Sequence, residues 1–489
     1  MTDSNRYVFA DQYLDGAWRP GSSGETMAVT SPWTSEVIAR LSAANRADVD
    51  RAYTSAASAQ RAWAATTPGE RADVMRRFAR VMEARKDEIV DWLVREAGST
   101  IAKAAIEWWA VHEGVLEAST LPSRVEGRIL RGNYVDKDNF VFRKPVGVVG
   151  VISPWNWPLH LSMRSVGPAL ALGNAVVLKP AGDTPITGGL LIAKLFEEAG
   201  LPPGVLSVVV GPSSVIGDAF VAHPIPRVIS FTGSTAVGRH IGELAVNGPL
   251  IKRAMLELGG NAPLVVTEDV DLDQAVHTAL VGKFFHHGQM CIAVNRIIVA
   301  SAIHDAFVER FVAAARALSM AGPSDARTAI GPIINTTQLR RIEALVEIAT
   351  KEGARLLLAE PVRGLVMPPR VLDRVLPNHT IARTEIFGPV ATILRADDDA
   401  HAITLANDTE YGLTSGVLCR DVARAMRIAG RIEAGMTHVN DIPAIDMPQL
   451  PFGGEKNSGL GRFGSHDLIE ELTTEHWISV QHTVQPLPF

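Results

Sequence analysis

From residue 145 onwards the chain alternates short strand patterns with longer helix patterns, and this alternation restricts the fold more than any other feature. The first strand pattern, VGVVGVIS at 146–153, is short, apolar and rich in β-branched residues, as expected for a strand buried on both faces of a sheet. A helix pattern then runs from Thr184, its predicted N-cap, to Gly200, and another begins near Thr235. Repeated strand–helix–strand order predicts an α/β fold with a doubly wound, mostly parallel sheet.

Other patterns flank this region. Residues 46–117 space their apolar positions at three and four and predict helices, whereas 124–144 alternates in a way that predicts an antiparallel hairpin. A second strand–helix alternation runs from about 262 to 440. The terminal stretch HWISVQHTV, 476–484, alternates again, so we expect it to pair with the hairpin.

Length and charge narrow the class of protein. The 489 residues correspond to about three domains of ordinary size. A net charge of −6 argues against a dedicated nucleic-acid binder, which usually carries clustered basic residues. The first residues, MTDSNRYVFADQYLDG, are polar, and no apolar run has the length of a membrane-spanning helix. We therefore expect a cytoplasmic protein with neither a nucleic acid nor a membrane as partner.

The two cysteines, Cys291 and Cys419, are too few for a disulfide framework or a Cys-rich zinc module. Cys419 lies in a strand-like stretch and is predicted to be core. Cys291 follows Gly288 in a turn-forming context, where a thiol can be exposed; it is either a buried apolar residue or a reagent. The doublet His286-His287 has no further ligand at metal spacing, so no metal site is predicted.

The segment RVISFTGSTAVG, 227–238, has the order strand, glycine-containing turn and helix. Exposed amides and the dipole at a helix start favour an anion, so this turn is either a phosphate site or a plain tight turn. Gly233 and Gly238 are spaced differently from the usual G-x-G-x-x-G. Lys179 ends the strand pattern NAVVLKP at the same predicted sheet edge, where it is either a surface residue or a ribose or phosphate contact.

Seven motifs in order resemble the NAD(P)-dependent aldehyde dehydrogenases along essentially the whole chain. Several stretches, such as MRSVGPALALGNAVVLKP, are most similar to the benzaldehyde- and vanillin-type members. The motifs are SPWNWP (153–158), LKP (178–180), FTGSTAVG (231–238), LELGGNAP (256–263), FFHHGQMCIA (284–293), EIFGPV (385–390) and PFGGEKNSGLGR (451–462).

The resemblance implies a mechanism. Cys291 matches the nucleophile that forms a thiohemiacetal with the aldehyde, and Asn156 matches the oxyanion donor, together with the backbone N–H of Cys291. Hydride transfer to the nicotinamide leaves a thioester. Glu257 matches the base that activates water to hydrolyse this thioester to the carboxylic acid.

The resemblance also implies the contacts of the cofactor, NAD or NADP. The matching residues are Lys179, Gly233, Ser234, Gly238, Glu385, Phe387 and Trp155, while Pro154 and Lys456 match supporting positions. Many NAD-preferring relatives carry a Glu that chelates the adenosine ribose where this chain has Gly182, followed by Asp183. Without that carboxylate a 2′-phosphate meets less repulsion, so we expect NADP to be tolerated unless Asp183 fills the gap.

The predicted substrate pocket consists of Trp157, Met163, Met290 and Ile292, although such side chains are equally often plain core. We predict an aromatic aldehyde of the benzaldehyde or vanillin kind, with aliphatic aldehydes or semialdehydes as the alternative. A CoA-acylating enzyme, a thiol esterase and a non-catalytic relative are the competing classes. The first typically lacks the Glu257-type base, the second needs no nucleotide site, and the third would be expected to lose Cys291, Asn156 or Glu257.

Finally, the resemblance implies three parts. A Rossmann-like NAD(P)-binding domain would comprise 1–123 and 145–257, and an α/β catalytic domain 258–468. The hairpin 124–144 and the terminal 469–489 would form an oligomerisation arm, whose open strand edges suit a homodimer or a homotetramer.

Overall fold

Two large sheets organise the residues that the computed structural model describes, 6–484. The strands, in chain order, are β1 (Gln12–Leu14), β2 (Ala17–Arg19), β3 (Thr26–Thr30), β4 (Val37–Ser42), β5 (Arg128–Arg131), β6 (Lys137–Pro145), β7 (Val148–Ile152), β8 (Ala175–Lys179), β9 (Leu206–Val208), β10 (Val228–Thr232), β11 (Arg253–Glu257), β12 (Ala262–Val266), β13 (Val294–Ala300), β14 (Arg355–Leu358), β15 (Arg370–Asp373), β16 (Val390–Ala396), β17 (Tyr411–Gly412), β18 (Thr414–Leu418), β19 (Met436–Val439), β20 (Glu455–Lys456), β21 (Gly459–Leu460) and β22 (Thr473–Gln481).

Helices connect and cover these strands. They are α1 (Arg46–Ala64), α2 (Pro68–Ala84), α3 (Lys86–Ala97), α4 (Ile101–Ala118), α5 (Pro158–Ala171), α6 (Leu191–Glu198), α7 (Ser213–Ala222), α8 (Thr235–Asn247), α9 (Leu272–Phe284), α10 (His304–Arg316), α11 (Thr336–Lys351), α12 (Thr380–Arg383), α13 (Asp399–Asn407), α14 (Val422–Ala429) and α15 (Ser465–Leu472), with shorter helical turns at Leu121–Arg124, Ile186–Leu190 and Phe285–Gly288.

The first sheet has the strand order β2-β1-β9-β8-β7-β10-β11-β21. Its five central strands, β9 to β11, are parallel, which confirms the doubly wound fold. The chain runs outward from β7 through β8 to β9 and then returns to place β10 on the other side of β7. Ligands of such sheets bind beyond the carboxyl ends of the strands at this point of reversal.

Apolar side chains cover this sheet on both faces. One cluster joins α1 and α7 to the sheet through residues such as Tyr53 and Phe220, and a larger one joins α2 to α6 through residues such as Phe78 and Phe196. The predicted helices of 46–117 are α1 to α4, and α1 and α2 begin with capping boxes at Asn45 and Thr67.

The start of the helix predicted over 184–200 differs from the prediction. Thr184 is not its cap, because the buried Thr184 hydroxyl has no hydrogen-bond partner among residues 6–484. The amides of Ile186 and Thr187 instead donate to the buried carboxylate of Glu96, at 2.8 and 2.6 Å. A charged cap from α3 thus replaces the local hydroxyl at the helix start.

The second sheet has the order β14-β15-β16-β13-β12-β18-β19 and is parallel except for β14. Buried apolar clusters again lie on its two faces. The loop between α9 and β13 carries Cys291, so this sheet positions the thiol.

A third sheet has the order β22-β6-β5, and β22 pairs with β6 from Thr473 opposite Pro145 to Gln481 opposite Lys137. The pairing predicted for the terminal stretch is therefore present. The predicted boundary at 468/469 falls inside α15, so the arm strand begins at Thr473. The short β21, within the range assigned to the catalytic part, pairs with β11 of the first sheet.

The three-part division itself stays a prediction, and its ends at 1–5 and 485–489 lie outside the described residues. Within the described part of the chain, no helix has the length and apolarity to cross a membrane.

Candidate active site

Cys291 lies where two clefts meet. One cleft has mainly apolar walls, and the other lies beyond the carboxyl ends of β10 and β11. Asn156, Leu161 and Cys291 line both clefts. A half-buried thiol at this junction can contact one molecule on each side.

The loop before Cys291 has an unusual backbone. His286, His287 and Gly288 all have positive φ, 46°, 57° and 71°. A Cβ on Gly288 would lie 2.2 Å from the carbonyl oxygen of Gly388, so only glycine fits there. For the two histidines this conformation costs about 1–3 kcal/mol each, which the surrounding packing must offset.

The two histidines of this loop are buried. Burial and the charge of Lys103 lower the pKa of His286, and burial lowers the pKa of His287 to about 3, so both rings are neutral. Nδ1 of His287 accepts a hydrogen bond from the Gly331 amide at 2.8 Å. Among residues 6–484, no group of three His, Cys, Asp or Glu side chains could hold a metal ion.

The Cys291 thiol is held in its protonated form. Burial raises its pKa most, the carboxylates of Glu257 and Glu385 raise it further, and the Arg164 guanidinium lowers it. Such a thiol reacts only when a base removes its proton at the moment of attack. Cys419, in contrast, is buried within the second sheet's core, as predicted.

Glu257 ends β11, beside Thr232 at the end of β10, and is 1% exposed. Its Oε1 has no hydrogen-bond partner among the described residues. Burial raises the pKa of the carboxyl to about 8, while Arg164 lowers it and Asp446 raises it. A carboxylate with that pKa can take up a proton near neutral pH.

Asn156 is 4% exposed and precedes α5. Its Nδ2 donates to the carbonyl of Gln289 at 3.0 Å, two residues before Cys291. The amide group therefore lies against the loop that carries Cys291.

The second cleft brings together most of the predicted cofactor residues. Its walls include Pro154, Trp155, Gly233, Ser234, Glu385 and Phe387, together with Gln338 and Arg341, which the sequence reasoning missed. Arg341 donates to the carbonyls of Glu385 and Ile386, at 3.1 and 2.6 Å, and so fixes the loop. The rings of Trp155 and Phe387 meet edge to face at 5.3 Å.

Two features of this cleft fit a dinucleotide. Ser234 is the N-cap of α8 but makes no capping hydrogen bond with its side chain in the described structure, which leaves the first-turn amides free for a phosphate. The Glu385 carboxylate accepts from the Gly260 amide at 2.9 Å, and burial raises its pKa to about 7. Its second oxygen is available to a ribose hydroxyl.

Two predicted cofactor residues lie away from the walls of this cleft. Lys179 is buried at the end of β8 and donates to the Ser213 hydroxyl at 2.9 Å; burial lowers its pKa to about 8. Gly238 is buried inside α8, where a Cβ would lie 2.3 Å from the side chain of Leu258. This glycine is explained by helix–strand packing rather than by contact with a ligand.

Asp183, which could have filled the gap beside Gly182, accepts a hydrogen bond from Asn335 at 3.0 Å. A Cβ on Gly182 would have only Met27 within 4 Å, at 3.7 Å. The position next to the chain's LKPA segment is thus open.

Lys456 pairs with Glu433 at 2.5 Å, away from both clefts, which suits a supporting role.

The first cleft contains three of the four predicted pocket residues, Trp157, Met290 and Ile292. Met163 does not line it; this side chain is 4% exposed and borders a neighbouring cavity. The reason is helical geometry, because positions 157, 160, 161 and 164 share the face of α5 that borders the cleft, and 163 lies off that face.

The remaining walls of this cleft were not predicted. They are Ile106, Trp109, Ala110, His160, Leu161, Arg164, Phe285, Ala444, Ile445, Asp446 and Phe452. Asp446 accepts from His160 at 2.9 Å and from Arg164 at 3.2 Å, so one wall is a polar cluster. The three- and four-residue spacing after Trp157 is the signal that could have identified His160, Leu161 and Arg164.

Comparison with known proteins agrees with this geometry. The profile of the aldehyde dehydrogenase family matches residues 18–478. The chain is 48% identical to a vanillin dehydrogenase of Corynebacterium glutamicum, over 99% of this chain and 100% of the relative. Among solved structures, an NAD-dependent benzaldehyde dehydrogenase from Corynebacterium glutamicum has a TM-score of 0.90 at 45% identity, covering 99% of this chain and 100% of the other. A salicylaldehyde dehydrogenase from Pseudomonas putida G7, complexed with salicylaldehyde, has a TM-score of 0.95 at 34% identity, with 99% and 100% covered.

Proposed function

The chain belongs to the aldehyde dehydrogenase family, and on that premise we propose that it oxidises an aromatic aldehyde to the carboxylic acid with NAD or NADP as acceptor. The observation that carries this proposal is the position of Cys291 between an apolar cleft with aromatic walls and a cleft with a free helix N-terminus. The first suits the aldehyde and the second suits the dinucleotide.

Covalent attack begins the reaction. Glu257 takes the proton of the Cys291 thiol, directly or through one water, and the sulfur bonds to the aldehyde carbon. The aldehyde oxygen becomes negative and accepts hydrogen bonds from Nδ2 of Asn156 and the backbone N–H of Cys291. Loss of one such donor typically costs about 3 kcal/mol of barrier.

The second half of the reaction releases the acid. A nicotinamide dinucleotide held in the second cleft would supply the hydride acceptor, and loss of hydride from the thiohemiacetal carbon would leave a thioester on Cys291. Glu257 releases the thiol proton to solvent and then removes a proton from water; the hydroxide adds to the thioester, the carbon–sulfur bond breaks, and the proton on Glu257 returns to the Cys291 sulfur as the acid leaves. Gly233, Ser234 and Glu385 would hold the dinucleotide, and Trp155 and Phe387 would flank its nicotinamide end. Lys179 would act from the end of β8, outside the walls of the cleft.

Aromatic substrates are supported by the walls of the first cleft, which include Trp109, Trp157, Phe285 and Phe452. They are also supported by the relatives, whose names refer to vanillin, benzaldehyde and salicylaldehyde. We expect kcat/KM for benzaldehyde and vanillin to exceed that for hexanal and glutarate semialdehyde by at least about tenfold, or 1.4 kcal/mol of transition-state binding. An equal rate with hexanal would contradict the aromatic assignment.

One mutation separates the competing classes. With Cys291→Ala, formation of reduced nicotinamide should fall to background, whereas Cys419→Ala, the matched control, should keep activity. Full activity of the Cys291 variant would overturn the mechanism. Because Glu257 is present, the product with water alone should be the free acid, and added coenzyme A should not raise the rate, as it would in an acylating enzyme.

We further propose that the protein is a cytoplasmic homo-oligomer. The Cys291 thiol must stay reduced to react, which suits a reducing compartment. The arm sheet exposes apolar side chains, including Ile129 at 78% and Trp477 at 64%, and its outer strands β5 and β22 have open edges. A second copy of the chain is the partner that would cover them in a homodimer or homotetramer.

A further inference from the structure

Two fully buried charges lie directly behind the residues that line the active site. Lys103 and Glu107, four residues apart on α4, form an ion pair, and both side chains are 0% exposed. Neither lines a cleft, and no step of the proposed reaction uses them. They face the segment that joins β7 to α5 and carries Asn156 and Trp157.

Glu107 caps α5 from outside that helix. Its Oε1 accepts hydrogen bonds from the backbone amides of Leu159 and His160, at 3.0 and 3.2 Å. The N-cap residue of α5, Trp157, provides no side-chain cap. The carboxylate thus satisfies two free amides and complements the helix dipole at the start of α5.

Lys103 holds the residues just before that helix. Its Nζ donates to the carbonyl oxygen of Asn156 at 2.9 Å and lies 4.6 Å from the centre of the Trp157 ring. Asn156 has a second anchor, its side chain, which donates to Gln289 in the Cys291 loop. The backbone of Asn156 is therefore fixed from α4, and its amide group is fixed against the nucleophile's loop.

We propose that the Lys103–Glu107 pair is a positioning device that sets the Asn156 amide relative to Cys291, so that the oxyanion donor is in place before the aldehyde arrives. The inference rests on the proposed function, in which Asn156 is that donor. It adds two residues, on an element remote in sequence, that touch neither substrate nor cofactor.

The energetics of the Lys103–Glu107 pair favour a role in positioning Asn156 over a role in stabilising the fold. A buried ion pair loses about as much in desolvation as it gains in attraction, so the attraction between the two charges adds little to the stability of the fold. The reaction rate, in contrast, depends steeply on where the hydrogen-bond donor lies, because a misplacement of about 1 Å can lower the rate about a hundredfold. The pair should therefore matter more for kcat than for the stability of the fold.

The test is a double-mutant cycle between the pair and Asn156. Lys103→Met/Glu107→Leu, which removes both charges, should still fold but melt at a lower temperature, because two amides and one carbonyl lose their partners, and should lower kcat for benzaldehyde by about 10- to 100-fold. KM for the dinucleotide should change by less than about threefold, since the second cleft is untouched. In an Asn156→Ala background the same double substitution should change kcat by less than about twofold.

Glu107→Asp provides a second variant if the double substitution does not fold. It keeps the charge pair but shortens the reach to the two amides, so it should fold and lower kcat by a smaller factor. The matched control is Glu96→Gln, which alters another buried capping carboxylate, at Ile186 and Thr187, and should leave kcat unchanged.

An equal loss of kcat with and without Asn156 would overturn the proposal, and so would an unchanged kcat in the double variant. Hydrolysis of 4-nitrophenyl acetate is measured in parallel, because it needs Cys291 and an oxyanion donor but neither an aldehyde nor a nucleotide. If the wild type oxidises no aldehyde, the proposed function fails, while the same cycle on the ester still decides the role of the pair.

Discussion

At the scale of single residues, burial gives Glu257 the proton affinity that the proposed mechanism needs. Its pKa, raised to about 8 chiefly by burial, means that the carboxyl is mostly protonated at pH 7 and ionised above pH 8. A general base acts only when ionised. Activity limited by thioester hydrolysis should therefore rise with pH through this range and fall as the carboxyl gains its proton.

Glu257→Gln should remove this base. We expect a burst of about one reduced nicotinamide per site that is slower than in the wild type, because the thiol also loses its base. The steady-state rate should then be lowered by about 10²- to 10⁴-fold and no longer depend on a group with pKa near 8. Stopped-flow absorbance with benzaldehyde checks both phases. Glu347→Gln, an exposed glutamate on α11, is the control. An unchanged steady-state rate and pH profile would contradict the assignment.

A second prediction at the residue scale concerns the choice between NAD and NADP, which depends on Gly182. Because Asp183 is engaged with Asn335, no carboxylate occupies the gap, and the preference for NAD over NADP in kcat/KM should stay below about a thousandfold, or 4 kcal/mol. Gly182→Glu should increase the preference for NAD by repelling a 2′-phosphate, and the uncharged Gly182→Gln should do so less. A wild-type preference above a thousandfold would refute this expectation.

At the scale of elements, the packing of α8 on β11 controls the cofactor cleft. A Cβ at Gly238 would overlap Leu258, and Leu258 lines the cleft. Gly238→Ala should therefore destabilise the fold by about 1–3 kcal/mol and raise KM for the dinucleotide. Gly114→Ala is the matched control, because that helical glycine has no atom within 4 Å of the added Cβ and should gain up to about 1 kcal/mol. Thermal melts measure the stability of the two variants, and initial rates measure KM for the dinucleotide. An unchanged melting temperature and KM in Gly238→Ala would contradict the prediction and show that α8 shifts freely.

At the scale of the whole molecule, the arm sheet is the surface on which assembly depends. Ile129→Glu/Trp477→Glu would place two charges where a partner is expected to bury apolar side chains, so the mass measured by light scattering should fall to a smaller species. Leu376→Glu, another exposed apolar position, should leave the mass unchanged. A wild type that is monomeric at micromolar concentration would remove the proposed role of the arm.

Sequence patterns predicted the elements well where the constraint was local. The largely apolar β7, β8 and β10 and the start of α8 at Thr235 follow from runs of neighbouring residues. Prediction failed where the hydrogen-bonding partner belongs to an element distant in sequence. Thr184 resembles a cap, but the carboxyl group of Glu96 on α3 takes that role, because its two oxygens accept hydrogen bonds from two amides at once.

By itself, the sequence determined the doubly wound fold, the pairing of the terminal strand with the hairpin and the family, since these depend on residue types at fixed short spacings. Only the tertiary structure decided which side chains share a cleft: it placed Cys291 at the junction, left Met163 outside, and brought Lys103 and Glu107 behind Asn156. It also decided the proton affinity of Glu257. The physical reason is that solvation and contact depend on neighbours in space, and in this chain those neighbours lie tens to hundreds of residues apart.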